Sequence, residues 1–196
     1  MDRMVTLAHK FLEEVLSYGD TAVDLTAGGG WDTLFLAERT GVRGRVFAFD
    51  IQSAAIARTH SLLAAKGVNA VSLRGTEAGL TDGGVFLVND DHQKIRSYVQ
   101  EKVQGAIANL GYLPGGDKSI LTGAETTLSC LRDTLSLLAP GGRMAVIAYV
   151  GHGGGPREAE AVSSFFEELP STRWGTMKVA MMNRKAAPIL LIAEKV

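Results

Sequence analysis

With 196 residues and 46% hydrophobic side chains, the chain can bury a substantial core, and one domain over residues 1–196 is expected. Its net charge of −1 excludes a surface that attracts nucleic acid over its whole extent, so any such contact must be a local basic patch. Cys130 is the lone cysteine, which excludes an internal disulfide and a cysteine-based zinc site.

The first predicted element is an amphipathic helix over about residues 4–18, where Val5, Ala8, Phe11, Leu12, Val15 and Leu16 recur at helical spacing. Asp2, Arg3, His9 and Lys10 break its apolar residues, so it reads as neither a signal peptide nor a membrane span, and a soluble cytoplasmic protein is expected. After Tyr18-Gly19-Asp20 the pattern alternates. Strands are predicted at about 21–26, 45–50, 68–73, 104–109 and 143–149, and helices at about 31–39, 52–66, 91–101, 123–138 and 156–168. Pro140-Gly141-Gly142 is the expected stop of the helix ending near residue 138. That helix carries Cys130 between Leu128 and Leu131, a setting for a core thiol. The inner strands are nearly unbroken apolar runs, as when helices cover both sheet faces. His9, His60 and His92 lie in or beside helices without ligand-like spacing, and no metal site is expected.

The tail departs from this alternation. Trp174 to Met182 and Pro188 to Glu194 read as strands joined through Asn183-Arg184-Lys185-Ala186-Ala187, an antiparallel hairpin. An α/β chain of this kind, with a seven-stranded mixed sheet closed by a hairpin, resembles the Rossmann-like class I methyltransferase fold. The resemblance implies strand order 3-2-1-4-5-7-6 with helices on both faces.

Asp24-Leu25-Thr26-Ala27-Gly28-Gly29-Gly30-Trp31-Asp32-Thr33 joins the first strand to the second helix through a glycine turn. Glycines let the backbone approach a ligand, and the helix that follows aims its first N–H groups into the turn. Asp50 ends the next strand, placed to accept from both hydroxyls of a ribose. Turn and acid suit NAD as well as S-adenosyl-L-methionine. Asp24 favours the latter, since a carboxylate there repels a pyrophosphate and attracts an ammonium and a sulfonium. The short chain and the closing hairpin point the same way. On this reading Ala27, Gly28 and Gly29 form the floor under the methionine part, and Asp32 and Thr33 start the helix, with Asp32 near the amino group. Ile51 packs on adenine, and Gln52 bonds the ribose or the base edge. Thr76 and Glu77, past the third strand, stand on the adenine side.

The fourth strand ends in Asn109-Leu110-Gly111-Tyr112, similar to the Asn-Pro-Pro-Tyr signature of methyltransferases acting on amino nitrogens. The Asn109 side-chain oxygen and the Leu110 carbonyl can accept an amine's hydrogens and aim its lone pair, while Tyr112 stacks on a planar substrate. His152, among glycines after the fifth strand, is a candidate proton acceptor at the site mouth. Asp117 and Lys118 either pair with one another or contact substrate. Arg157, Arg173, Lys178, Arg184 and Lys185 are candidates for a basic rim on the substrate face.

The block Asn109 to Ile120, with Thr126-Thr127, Gly151-His152-Gly153-Gly154 and Phe49-Asp50-Ile51-Gln52, resembles the MnmM/YtqB-type family, once labelled rRNA methylases, over nearly the whole chain. That resemblance implies an S-adenosylmethionine-dependent enzyme methylating the amine of 5-aminomethyl-uridine, often 2-thiolated, at the tRNA wobble position. It implies the anticodon loop as partner and a homodimer as a possible assembly. Tyr112, Gly116, Asp117 and Lys118 are the candidate substrate-binding residues. The chain has Gly29 and Trp31 where the family has Asn and His, and the family's Ser-His after the third strand aligns with Thr76-Glu77. A small-molecule amine N-methyltransferase and a non-catalytic cofactor-binding relative are the alternatives. Salt-sensitive tRNA binding separates the first from the leading reading, and absence of transfer despite cofactor binding marks the second.

Overall fold

The computed structural model describes residues 3–73, 83–111, 123–151, 155–184 and 186–196. Among them, eight strands form one mixed sheet: β1 (Thr21–Asp24), β2 (Arg45–Phe49), β3 (Ala70–Leu73), β4 (Gly84–Val88), β5 (Val103–Leu110), β6 (Leu138–Ala148), β7 (Trp174–Val179) and β8 (Ile189–Lys195). The helices are α1 (Arg3–Glu13), α2 (Trp31–Thr40), α3 (Ser53–Ala65), α4 (Ile95–Tyr98), α5 (Ala124–Leu137) and α6 (Gly155–Glu167).

Successive strand residues face opposite sides of a sheet, so an apolar run feeds two cores at once. In β2, Phe47 and Phe49 join one core while Val46 and Ala48 join the other. In β5, Ala106, Ala108 and Leu110 face the first and Ile107 the second. The first core is closed by α4, α5 and α6 through Ile95, Leu131, Leu135, Val162 and Phe166. The second is closed by α1, α2 and α3 through Met4, Leu12, Leu36 and Leu63. Cys130 is buried in the first core, and burial pushes its thiol up to about 12, so it stays protonated and inert. No helix among the described residues is long and apolar enough to cross a membrane.

The order is β3-β4-β2-β1-β5-β6-β8-β7. All neighbours are parallel except β8, which runs antiparallel to both β6 and β7. The chain winds from β1 outward to β2, then returns to β5 on the other side. The crevice beyond the carboxyl ends of β1 and β5 is therefore the switch point at which open α/β sheets bind ligands.

Four expectations need correction. The sheet has eight strands, because Gly84–Val88 inserts between β2 and β3; the rest of the expected order holds. The first helix ends at Glu13 rather than near residue 18. The helix expected at 91–101 is a 3-10 turn, His92–Lys94, followed by the single α-turn of α4. Pro140-Gly141-Gly142 does not end a helix: α5 stops at Leu137, β6 begins at Leu138 opposite Val103, and the three residues form an irregular stretch within β6, with Gly141 at φ +73°.

Candidate active site

The turn after β1 is held by both neighbouring strands. Leu25 N donates to Ile107 O at 2.9 Å and Ala27 N to Phe49 O at 2.8 Å; Gly30 N closes the turn on Ala27 O at 2.8 Å. Gly28 (φ +55°) and Gly30 (φ +86°) take left-handed backbone that other residues resist. Gly29 is exposed, and a Cβ there would meet only Trp31 Cδ1, at 3.7 Å. The turn thus presents bare backbone at Gly28 and Gly29, with Ala27 buried beside it.

Three carboxylates converge on this turn. Asp24 is fully buried and accepts from Thr26 N at 3.0 Å and from the buried Thr33 Oγ1 at 2.6 Å. Burial, with the nearby Asp32 charge, pushes its carboxyl up to about 7. Asp24 therefore acts through its field and by bracing the turn. Asp50 accepts from Gly28 N at 3.0 Å and Gln52 N at 2.9 Å, tying the turn to the end of β2. Burial raises its carboxyl, against the pull of those two N–H groups. Ile51 is exposed beside it.

Asp32 is the hub of the site. Its Oδ1 lies 2.5 Å from His9 Nε2, and its Oδ2 accepts from Asn109 Nδ2. The His9 ring is stacked on Phe35, centroids 3.9 Å apart with the two ring planes nearly parallel. Asn109 also donates its backbone N–H to Thr26 Oγ1 at 2.7 Å. With the Asn109 amide nitrogen committed to Asp32, Oδ1 must present the other way, and it is buried without a hydrogen-bond partner among the described residues. A buried amide oxygen left unpaired costs free energy, about 1–3 kcal/mol, and is open to accept from a donor. Leu110, buried at the end of β5, has its carbonyl engaged by Tyr149 N at 3.2 Å, so Asn109 Oδ1 is the open acceptor of the pair.

Sequence reasoning missed four participants. Thr26 orients Asn109, and His9 braces Asp32 from α1. After β4, Asn89 Nδ2 donates to the Asp50 and Ile51 carbonyls, at 2.9 and 3.1 Å. His92 bonds the Leu25 carbonyl through its ring, and its Nε2 is buried without a partner among the described residues. Burial holds that imidazole below its ordinary value, hence neutral. The signal for the last two was the short run Val85-Phe86-Leu87-Val88, which places the following loop beside Asp50. Thr76 and Glu77 lie outside the described residues, and the strand they follow is separated from β2 by β4. Tyr112, Gly116, Asp117, Lys118 and His152 also lie outside them, as does Lys185. Of the rim arginines, Arg157 begins α6 and Arg184 sits in the hairpin, both at the carboxyl end of the parallel strands. Arg173 is at the opposite end: β7 starts at Trp174, paired with Lys195, and the Arg173 carbonyl accepts from Val196 N.

Fold and crevice together define a class I methyltransferase. The "Putative rRNA methylase" family model matches residues 46–195. The chloroplastic tRNA (mnm(5)s(2)U34)-methyltransferase of Arabidopsis thaliana is 40% identical, over 96% of this chain and 68% of that one. A Clostridium thermocellum crystal structure of the same description is 36% identical, with a TM-score of 0.89 over 100% of this chain and 99% of that one. A Streptococcus mutans methyltransferase in complex with SAH is 33% identical, with a TM-score of 0.84 over 100% and 99% of the two chains. The chain belongs to this rRNA methylase family of methyltransferases.

Proposed function

We propose that the chain transfers a methyl group from S-adenosyl-L-methionine to a primary amine of an RNA nucleoside, the aminomethyl group of 5-aminomethyl-(2-thio)uridine at the tRNA wobble position. The observation that carries this reading is the buried Asn109 Oδ1, unpaired among the described residues, its amide oriented by Asp32 while Thr26 holds the Asn109 backbone N–H. It fits an acceptor that must present N–H groups. The relatives support the nucleoside: the Arabidopsis protein is named for this uridine.

The donor supplies an electrophilic methyl group on a sulfonium. The protein's part is binding and aim. Asp50 accepts from the ribose hydroxyls, and Asp24 and Asp32 favour the donor's positive charge over a pyrophosphate. Ala27, Gly28 and Gly29 pass beneath the methionine portion, with Thr33 bracing Asp24. Ile51 offers its exposed side chain to the adenine face, with Gln52 beside the ribose, and Asn89 and His92 line the side given to Thr76 and Glu77 in the sequence reading. Asn109 Oδ1 accepts one amine hydrogen and turns the nitrogen lone pair toward the methyl group; such orientation contributes up to about 7–11 kcal/mol in ideal cases. In this proposal Tyr112 stacks on the uracil ring, and Leu110, Gly116, Asp117 and Lys118 complete the substrate side. His152 receives the proton that the methylated ammonium releases.

The test is incubation with isotopically labelled donor and tRNA carrying the unmethylated aminomethyl-uridine, beside Asn109→Ala. Label in the digested nucleoside that is lost with the substitution supports the reading. Donor binding with no transfer by the wild type sinks it.

A further inference from the structure

A second feature at the carboxyl end of the sheet is not used by the methyl-transfer chemistry. The start of α1 and the β7–β8 hairpin enclose a cleft of about 630 Å³. Its floor includes Met4, Met181 and Pro188, and its charged lining residues among the described ones are Arg3 and Arg184. Both arginines are exposed, and neither has a carboxylate within ion-pair distance among the described residues. Arg39, Arg45, Arg96 and Arg143 are each paired with an acid; among the arginines without such a pair, Arg3 and Arg184 are the two that line one recess together. In a chain of net charge −1, two guanidinium groups with no acid in reach among the described residues give this apolar-floored recess a local positive charge.

Its position relates it to the crevice. β8 starts at Ile189 opposite Ala148, and Ala148 lies opposite Leu110, the neighbour of Asn109. On α1, His9 follows Arg3 by six residues and reaches Asp32, which holds Asn109. Met4 and Met181 pack into the same core as that helix, so the floor is part of the folded body.

We propose that this cleft seats a phosphodiester and the adjoining ribose of the RNA substrate, flanking the nucleotide whose base enters the crevice. Arg3 and Arg184 hold the phosphate oxygens, and the methionine and proline surface packs against the sugar. This rests on the reading of RNA as the substrate class.

The experiment measures fluorescence anisotropy of a labelled synthetic anticodon stem-loop RNA, with the full chain, across a salt series. The double variant R3E/R184E is expected to weaken binding by about tenfold or more and to lower the slope of log Kd against log salt by about one. Donor affinity stays unchanged. R173E, the same charge change at the far end of the sheet, leaves the Kd within about twofold. Equal binding by wild type and R3E/R184E, equal weakening by R173E, or no RNA binding by the wild type would each overturn the proposal. Methyl transfer to an aminomethyl-bearing stem-loop is read separately. Arginine-dependent binding without transfer keeps the cleft and removes the amine reading; transfer with Kd values indifferent to R3E/R184E does the reverse.

Discussion

In the proposed reaction Asn109 aims the amine because its two amide atoms have different fates: Nδ2 is bonded to Asp32, and Oδ1 is buried and open. Removing one preorganised hydrogen-bonding group from an active site costs on the order of 100-fold in kcat. Asn109→Ala is expected to show a loss of that order in single-turnover transfer, with donor Kd much less affected. His9 acts one step further out, through Asp32. His9→Phe keeps an aromatic ring against Phe35 and deletes the hydrogen bond, so kcat falls by about tenfold while the thermal midpoint moves little. Asp24 sets the pH behaviour. Its folded value is raised, to about 7 against an ordinary 3.8, so its contribution to the stability of the ligand-free protein is full below about pH 4 and is lost as pH rises to about 7. A cationic donor reverses that preference by favouring the carboxylate. Donor binding is therefore expected to tighten and release a proton between about pH 6 and pH 8, as read by calorimetry in buffers of different ionisation enthalpy; Asp24→Asn flattens the profile. Asp24, Asp32, Asp50 and Asn109 were legible as residues because each stands at a strand end or helix start. His9 was not, since its contact spans 23 positions and depends on how α1 docks.

At the scale of elements, the glycine turn divides into a structural and a ligand-facing part. A Cβ at Gly30 would come within 2.9 Å of Thr59 Cα, backbone of α3 that cannot yield, at φ +86°. Gly30→Ala should lower stability by about 1–3 kcal/mol in denaturant unfolding, from close approach and strain together. Gly29→Ala meets only Trp31 within 4 Å, so the fold is untouched and the measurable change is a weaker donor Kd. Long or unbroken patterns were readable: β1, β2, β5 and α3 lie where their apolar periodicity put them. Val85-Phe86-Leu87-Val88 carries the same signal in only four residues bounded by Gly84 and Asn89, too short a run to separate from a loop by periodicity alone. The α5–β6 boundary was misread for another reason. A Pro-Gly-Gly sequence ordinarily breaks structure, yet here it is accommodated as a bulge where β6 pairs with β5.

For the whole molecule, the sheet grades from a buried centre to bare edges. β1, β5 and β6 are covered on both faces, whereas β7 exposes Gly175, Thr176, Met177 and Lys178 in succession, and β3 exposes Val71 and Ser72. Native-state hydrogen exchange should therefore proceed from β1 and β5 amides only through global unfolding, and from β3 and β7 through smaller openings several kcal/mol cheaper. Uniform protection across the sheet would contradict that gradient.

Arg143 links distant parts of the chain. From the middle of β6 it donates to the Phe11 carbonyl and to Glu14 on one side and to Glu194 of β8 on the other. Met4, Ala8 and Leu12 of α1 pack with Leu190 and Ile192 of β8. On a ribosome, then, the helix made early waits for β6, its main seat, and is clamped only when β8 pairs beside it. His9 braces Asp32 from that helix, so a nascent chain arrested before β8 holds Asp24, Asp32, Asp50 and Asn109 while the support behind them is still incomplete.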